Sequence, residues 1–106
     1  MLNELAYKIN DMAQAHGWWN KERSFGDIIA LCHSELSKAL EAFRIHEPMM
    51  HIVDGKPEGV AVEMIDCIIR ILDWCAQAGI DIDNVLKKKM QYNETRPYKH
   101  DGGKDL

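Results

Sequence analysis

Hydrophobic positions recur along this chain at helical rather than strand spacing, and three segments carry the pattern most clearly. Leu2, Leu5, Ile9, Met12 and Ala13 fall on one side of a helix predicted over residues 2–16, which Gly17 would end. Ile28, Leu31, Cys32, Leu36, Ala39, Ala42 and Phe43 form the apolar arc of a second helix, which starts at a Ser24/Asp27 capping pair and runs to about His46. The third segment, VAVEMIDCIIRILDWCAQ, spans residues 60–77. At about 100° per residue, its Glu63, Asp66, Arg70, Asp73 and Gln77 share one arc of roughly 80°, and the other positions are apolar or small. A surface helix has a far wider polar face, so this helix is predicted to be largely enclosed.

The intervening residues complete the outline. Residues 47–57 hold two prolines and a glycine and read as one long loop, with Pro57 as a first-turn proline of the third helix, which Gly79 would end. Asp81 and Asp83 suit the start of a fourth helix with Val85, Leu86 and Met90 inward, and Pro97 stops it. No strand-like alternation of any length stands out. The pattern predicts an all-α domain over residues 1–97, about four helices in a bundle, with a core completed by homo-oligomerisation. Residues 98–106 are expected to form a flexible polar tail.

Composition narrows the classes of function. A chain of 106 residues is one domain, and 46% hydrophobic with 28% charged residues is a globular rather than a disordered balance. The net charge of −4 argues against a nonspecific nucleic-acid binder or a protein of anionic membranes. Cys32, Cys67 and Cys75 are odd in number and lack CxxC spacing, which suits small core residues in a reducing compartment. With no signal peptide and no apolar run near the roughly 18 to 20 residues of a membrane span, the expectation is a soluble cytoplasmic protein.

Glu35 is the residue that changes this picture. It falls inside the apolar arc of the second helix, where an ionised carboxylate is costly unless a cation, a hydrogen-bond network or a retained proton compensates it. Together with Glu63 and Asp66 it makes an oxygen-only donor set, suited to Mg²⁺ or Mn²⁺ rather than zinc or copper. The ExxH spacing of di-iron bundles is absent, as are HExxH, a Gly-rich phosphate loop and GxSxG. Lys89, Asn93 and Arg96, spaced four and three, line one face of the fourth helix and could hold phosphate. From the residues alone, a solvated or salt-bridged stripe is the stronger account of Glu63, Asp66 and Arg70. Trp18 and Trp19 are adjacent, so both cannot enter one core; they either wedge helices or interfaces together or offer a stacking surface to a planar ligand. His16, His33, His46 and His51 show no metal-ligand spacing.

The stretches HSELSKALEAFR (residues 33–44), PEGVAVEMIDCIIRILDWC (57–75) and KMQYNETRPYKHDGGK (89–104) resemble the MazG-like, all-α nucleotide pyrophosphohydrolases. The similarity spans most of the chain after Trp18. In that family an ExxE pair and a later ExxD pair hold Mg²⁺, and members cleave nucleoside triphosphates to monophosphate and pyrophosphate as dimers or tetramers. The resemblance implies that Glu35, Glu63 and Asp66 hold the metal, with Mn²⁺ as a substitute, and that Glu35 and Glu63 serve catalysis. It further implies that Lys89, Asn93 and Arg96 meet phosphates and that Trp18 and Trp19 stack on the base. The chain departs from the family pattern at Lys38, which stands where the second acid of ExxE is expected. Lys38 either takes over charge neutralisation by contacting phosphate or the neighbouring Glu41 helix face, leaving one metal on Glu35, Glu63 and Asp66, or weakens the metal site and leaves a noncatalytic nucleotide-binding or oligomeric protein. A small helical adaptor is a third reading, but it leaves Glu35 unexplained.

Overall fold

Two glycines, a serine and two aspartates set where the helices begin and end. A computed structural model describes residues 1–97, so the tail expected over residues 98–106 lies outside the described residues. Helix α1 (Leu2–Ala15) is followed by Gly17 at φ 82 and a short 3-10 turn over Trp18–Asn20. Helix α2 (Phe25–Arg44) starts at Ser24, whose Oγ accepts the Asp27 N–H at 3.0 Å. Helix α3 (Val60–Gln77) ends at Gly79, φ 72, in a Schellman motif: the Gly79 N–H reaches the Ala76 carbonyl and the Ile80 N–H reaches that of Cys75. Helix α4 (Ile82–Glu94) is capped by Asp81, which accepts the Asn84 N–H at 3.1 Å.

Asp83 does something the sequence pattern did not assign to it. Rather than serving only its own helix, its Oδ1 accepts the Leu2 N–H at 2.8 Å, capping α1, whose own cap position offers no side-chain acceptor. Asn3 answers by accepting the Ile82 N–H at 2.8 Å. The first turns of α1 and α4 thus satisfy each other's open amides.

The segment read as a long loop is in part a β-hairpin. Strands β1 (His51–Val53) and β2 (Lys56–Glu58) pair antiparallel, with His51 opposite Glu58 and Ile52 opposite Pro57. The two-residue turn Asp54–Gly55 has positive φ at both positions, 52 and 77, as a type I′ turn demands. Pro57 therefore belongs to β2 and not to the first turn of α3, which begins after Gly59. Gly59 adopts φ 128, and a Cβ there would collide with the carbonyl oxygens of Pro48 and Met49. Only glycine lets the hairpin close so tightly onto the end of the α2 connection.

Helix α3 is the centre of the molecule: α2 packs along one side of it, α1 along another, and α4 packs chiefly against α1. The core is small. Ile28, Cys32 and Cys67 are buried together, with Trp19 and Trp74 packed against them. Leu36, Leu40 and Phe43 of α2 stay exposed, as do Met64, Ile65, Ile68, Ile69 and Ile71 of α3. The radius of gyration is 16.7 Å, against about 13 Å for a compact chain of this length. The fold is all-α apart from the hairpin, and no described helix is long and apolar enough to cross a membrane.

Candidate metal centre

The packing of α2 on α3 turns two sequence spacings into one cluster. Glu35 projects from the middle of α2 and is 3% exposed. Glu63 and Asp66, one turn apart on α3, meet it so that one oxygen from each of the three carboxylates lies within 4.8 Å of the others. Burial pushes the Asp66 carboxyl above its ordinary range, and the neighbouring charges of Glu35 and Glu63 push it further.

One cation is present. Lys38, one turn beyond Glu35, reaches back so that its Nζ lies 2.8 Å from Glu35 Oε1 and 3.6 Å from Glu63 Oε2. The first distance is a charge-assisted hydrogen bond; the second is too long for one. Glu63 Oε2 is consequently buried with no hydrogen-bond partner. The hydrogen bond to Glu35 raises the Lys38 pKa above the ordinary lysine range.

The polar stripe of α3 divides in two below this cluster. Its far half is structural. Asp73 is 6% exposed and accepts Asn10 Nδ2 of α1 at 2.8 Å and Trp19 Nε1 at 3.1 and 3.2 Å through its two oxygens. Gln77 accepts from Asn10 at 3.0 Å and from Gln14 at 3.1 Å. Asn10 carried no signal in the sequence beyond its place in α1; a polar residue four before Gln14 on a packed helix is a weak hint.

The tryptophans separate as their adjacency requires. Trp19 is the wedge, packed on the core with its indole N–H engaged by Asp73. Trp18 turns the other way: the Arg23 guanidinium carbon sits 3.6 Å from its ring centre and that of Arg70 5.2 Å. It lines a mostly apolar cavity of about 380 Å³ with Ile9, Met12, Ile28 and Ile69, and Arg70 and Asp73 form the polar edge. Arg70 Nε is buried there without a hydrogen-bond partner.

Lys89, Asn93 and Arg96 are on α4, which packs chiefly on α1, whereas the carboxylates lie between α2 and α3. The cations of Lys89 and Arg96 stand over the Tyr92 ring, at 5.3 and 5.5 Å from its centre. A second mixed cluster comes from the hairpin, whose register sets Glu58 opposite His51 while Glu47 Oε1 lies 2.9 Å from His51 Nε2. His51 has no metal-ligand spacing in the sequence, because the strand pairing that sets Glu58 opposite it has no signal in periodicity.

Comparison of the chain with protein-family models, with curated proteins and with solved structures finds no match. Fold and site together define a small helical protein with a partly buried cluster of three carboxylates, Glu35 at its buried end.

Proposed function

We propose that this chain is a Mg²⁺-dependent nucleoside triphosphate pyrophosphohydrolase of the MazG-like kind, with Mn²⁺ as a substitute metal. The observation that carries the reading is the convergence of Glu35, Glu63 and Asp66 around one point, where among the described residues Lys38 is the cation paired with them and a buried oxygen of Glu63 has no hydrogen-bond donor. An oxygen-only set with an orphaned acceptor fits a hard divalent cation held by those three residues. Such an ion supplies charge neutralisation at phosphate oxygens. In this reading Glu63, whose Oε2 has the Lys38 ammonium at 3.6 Å but no hydrogen-bond donor among the described residues, orients a water and accepts its proton as the water oxygen bonds to the α-phosphorus. The bond from that phosphorus to the bridging oxygen then breaks, and pyrophosphate leaves.

Through the resemblance, Lys89, Asn93 and Arg96 enter the proposal as phosphate donors, and Trp18, beside its cavity, as a base-stacking residue. The exposed apolar faces of α2 and α3 support a homodimer or homotetramer. Free cysteines suit a cytoplasmic setting. A second reading has its own support: Lys38 bound to Glu35 at 2.8 Å could close the site to metal and leave a noncatalytic nucleotide-binding protein.

Pyrophosphate release from ribo- and deoxynucleoside triphosphates, with Mg²⁺, Mn²⁺ or chelator, separates the two. The hydrolase reading expects metal-dependent release that falls at least a hundredfold in Glu63→Gln and Asp66→Asn. Absence of release from folded wild-type protein with every nucleotide would leave the noncatalytic reading standing.

A further inference from the structure

Three carboxylates and one ammonium leave the cluster with a formal charge of −2. Lys38 is 56% exposed, yet its Nζ turns inward to a carboxylate that is only 4% exposed. A free surface lysine keeps its ammonium in water; this one spends its flexible stem reaching a buried acid. Its contacts are also unequal. Glu35 receives a full hydrogen bond, whereas the buried Oε2 of Glu63 receives only charge at 3.6 Å and has no hydrogen-bond donor among the described residues.

We propose that Lys38 is a resident cation of this centre, an ammonium fixed to the chain that fills one cation position and limits the site to a single divalent ion. The inference rests on the reading of Glu35, Glu63 and Asp66 as a metal centre, and not on the hydrolase reaction. An ammonium carries three donors and no lone pair, so it can compensate carboxylates but cannot ligate a metal. A divalent ion beside Glu63 and Asp66 brings the cluster to neutrality. A second would add two positive charges next to a fixed third, with Glu35 already committed to Lys38. A glutamate at position 38 reverses the sign of that fixed charge and supplies a ligand one turn from Glu35. The same ammonium holds the carboxylates together when no metal is bound.

The test is Mn²⁺ binding to the full chain, counted by titration calorimetry and by the electron paramagnetic resonance signal of free Mn²⁺, together with thermal unfolding in chelator and in saturating Mn²⁺. The expected count is one ion per wild-type chain and two per chain in Lys38→Glu. Lys38→Met should unfold about 4 °C or more below wild type in chelator, and the gap should close in saturating Mn²⁺, where the ion replaces the lost ammonium. Two or more ions on wild type overturn the inference, as does a single ion on folded Lys38→Glu. Equal melting of wild type and Lys38→Met in chelator overturns it too, because a solvated lysine would behave that way. No Mn²⁺ bound by either protein overturns the metal-centre reading itself. A correct metal count without pyrophosphate release rejects only the reaction.

Discussion

Asp73 and Glu35 are buried acids on facing helices, and they are stabilised by opposite means. Asp73 is met by neutral donors, the Asn10 amide and the Trp19 indole, which satisfy its oxygens without a cation. Glu35 is met by a lysine. The difference is one of kind: a carboxylate saturated by fixed neutral dipoles is a structural fastener, whereas one paired with an ammonium belongs to a charged cluster. Asp73→Ala would strand two donors in a nearly dry site, and should cost about 2–4 kcal/mol of unfolding free energy, read by urea titration. Trp19 emission should shift in the folded variant as its indole loses the carboxylate; unchanged stability and emission would show that the bonds from Asn10 and Trp19 carry nothing. Only part of this was legible in the sequence. Glu35 stood out because it broke an apolar arc. Asp73 did not, because it shares its arc with Glu63 and Asp66, and what distinguishes it is Asn10, 63 residues away.

At the scale of elements, the helix boundaries were close to what capping chemistry dictates, since Ser24, Gly17, Gly79 and Asp81 act on their immediate neighbours. The hairpin was missed because its strands are three residues each, too short to alternate, and its signal is the Asp54–Gly55 turn rather than any periodicity. Asp83 was assigned to its own helix and serves α1 as well, a pairing that no local rule contains. Its pKa follows from the arrangement: the loss of water around it would raise the value, but the Leu2 N–H, the amino terminus and the Asn3 N–H outweigh this and hold it below the ordinary carboxylate range. A carboxyl depressed in the folded state stabilises the fold above its unfolded pKa of about 3.9, and that stabilisation is lost as pH falls through the folded value. Asp83→Asn should therefore be less stable than wild type at neutral pH, and the difference should narrow in acid. Urea titrations from pH 7 down to pH 2 measure it; a constant difference would mean that Asp83 acts by shape rather than charge.

The whole molecule has too little core for its apolar content. Leu40 and Phe43 are 50% and 62% exposed, and Ile65 and Ile68 are 51% and 47% exposed. The narrow polar arc of α3 predicts a largely enclosed helix, and the spacing of α4 puts Val85, Leu86 and Met90 inward. Within one chain these faces stay exposed, because α3 has only the helices α1 and α2 beside it and α4 packs chiefly on α1. Which faces stay open was not readable, because it depends on α1 and α2 choosing sides of α3. Light scattering after size exclusion should give a mass that is a multiple of 12.2 kDa, and Leu40→Asp or Ile68→Asp should each return it toward one chain. A monomeric wild-type protein would reject the oligomer.

The mutual capping of α1 and α4 also imposes an order in time. The acceptor for the Leu2 amide is 81 residues downstream, so a chain emerging from a ribosome displays its first helix with an uncapped end until Asp83 has been made. At about 5–20 residues per second that interval lasts several seconds. During it, α1 can leave and rejoin the growing bundle, and closure of the clasp marks the moment at which the first helix is committed to its place.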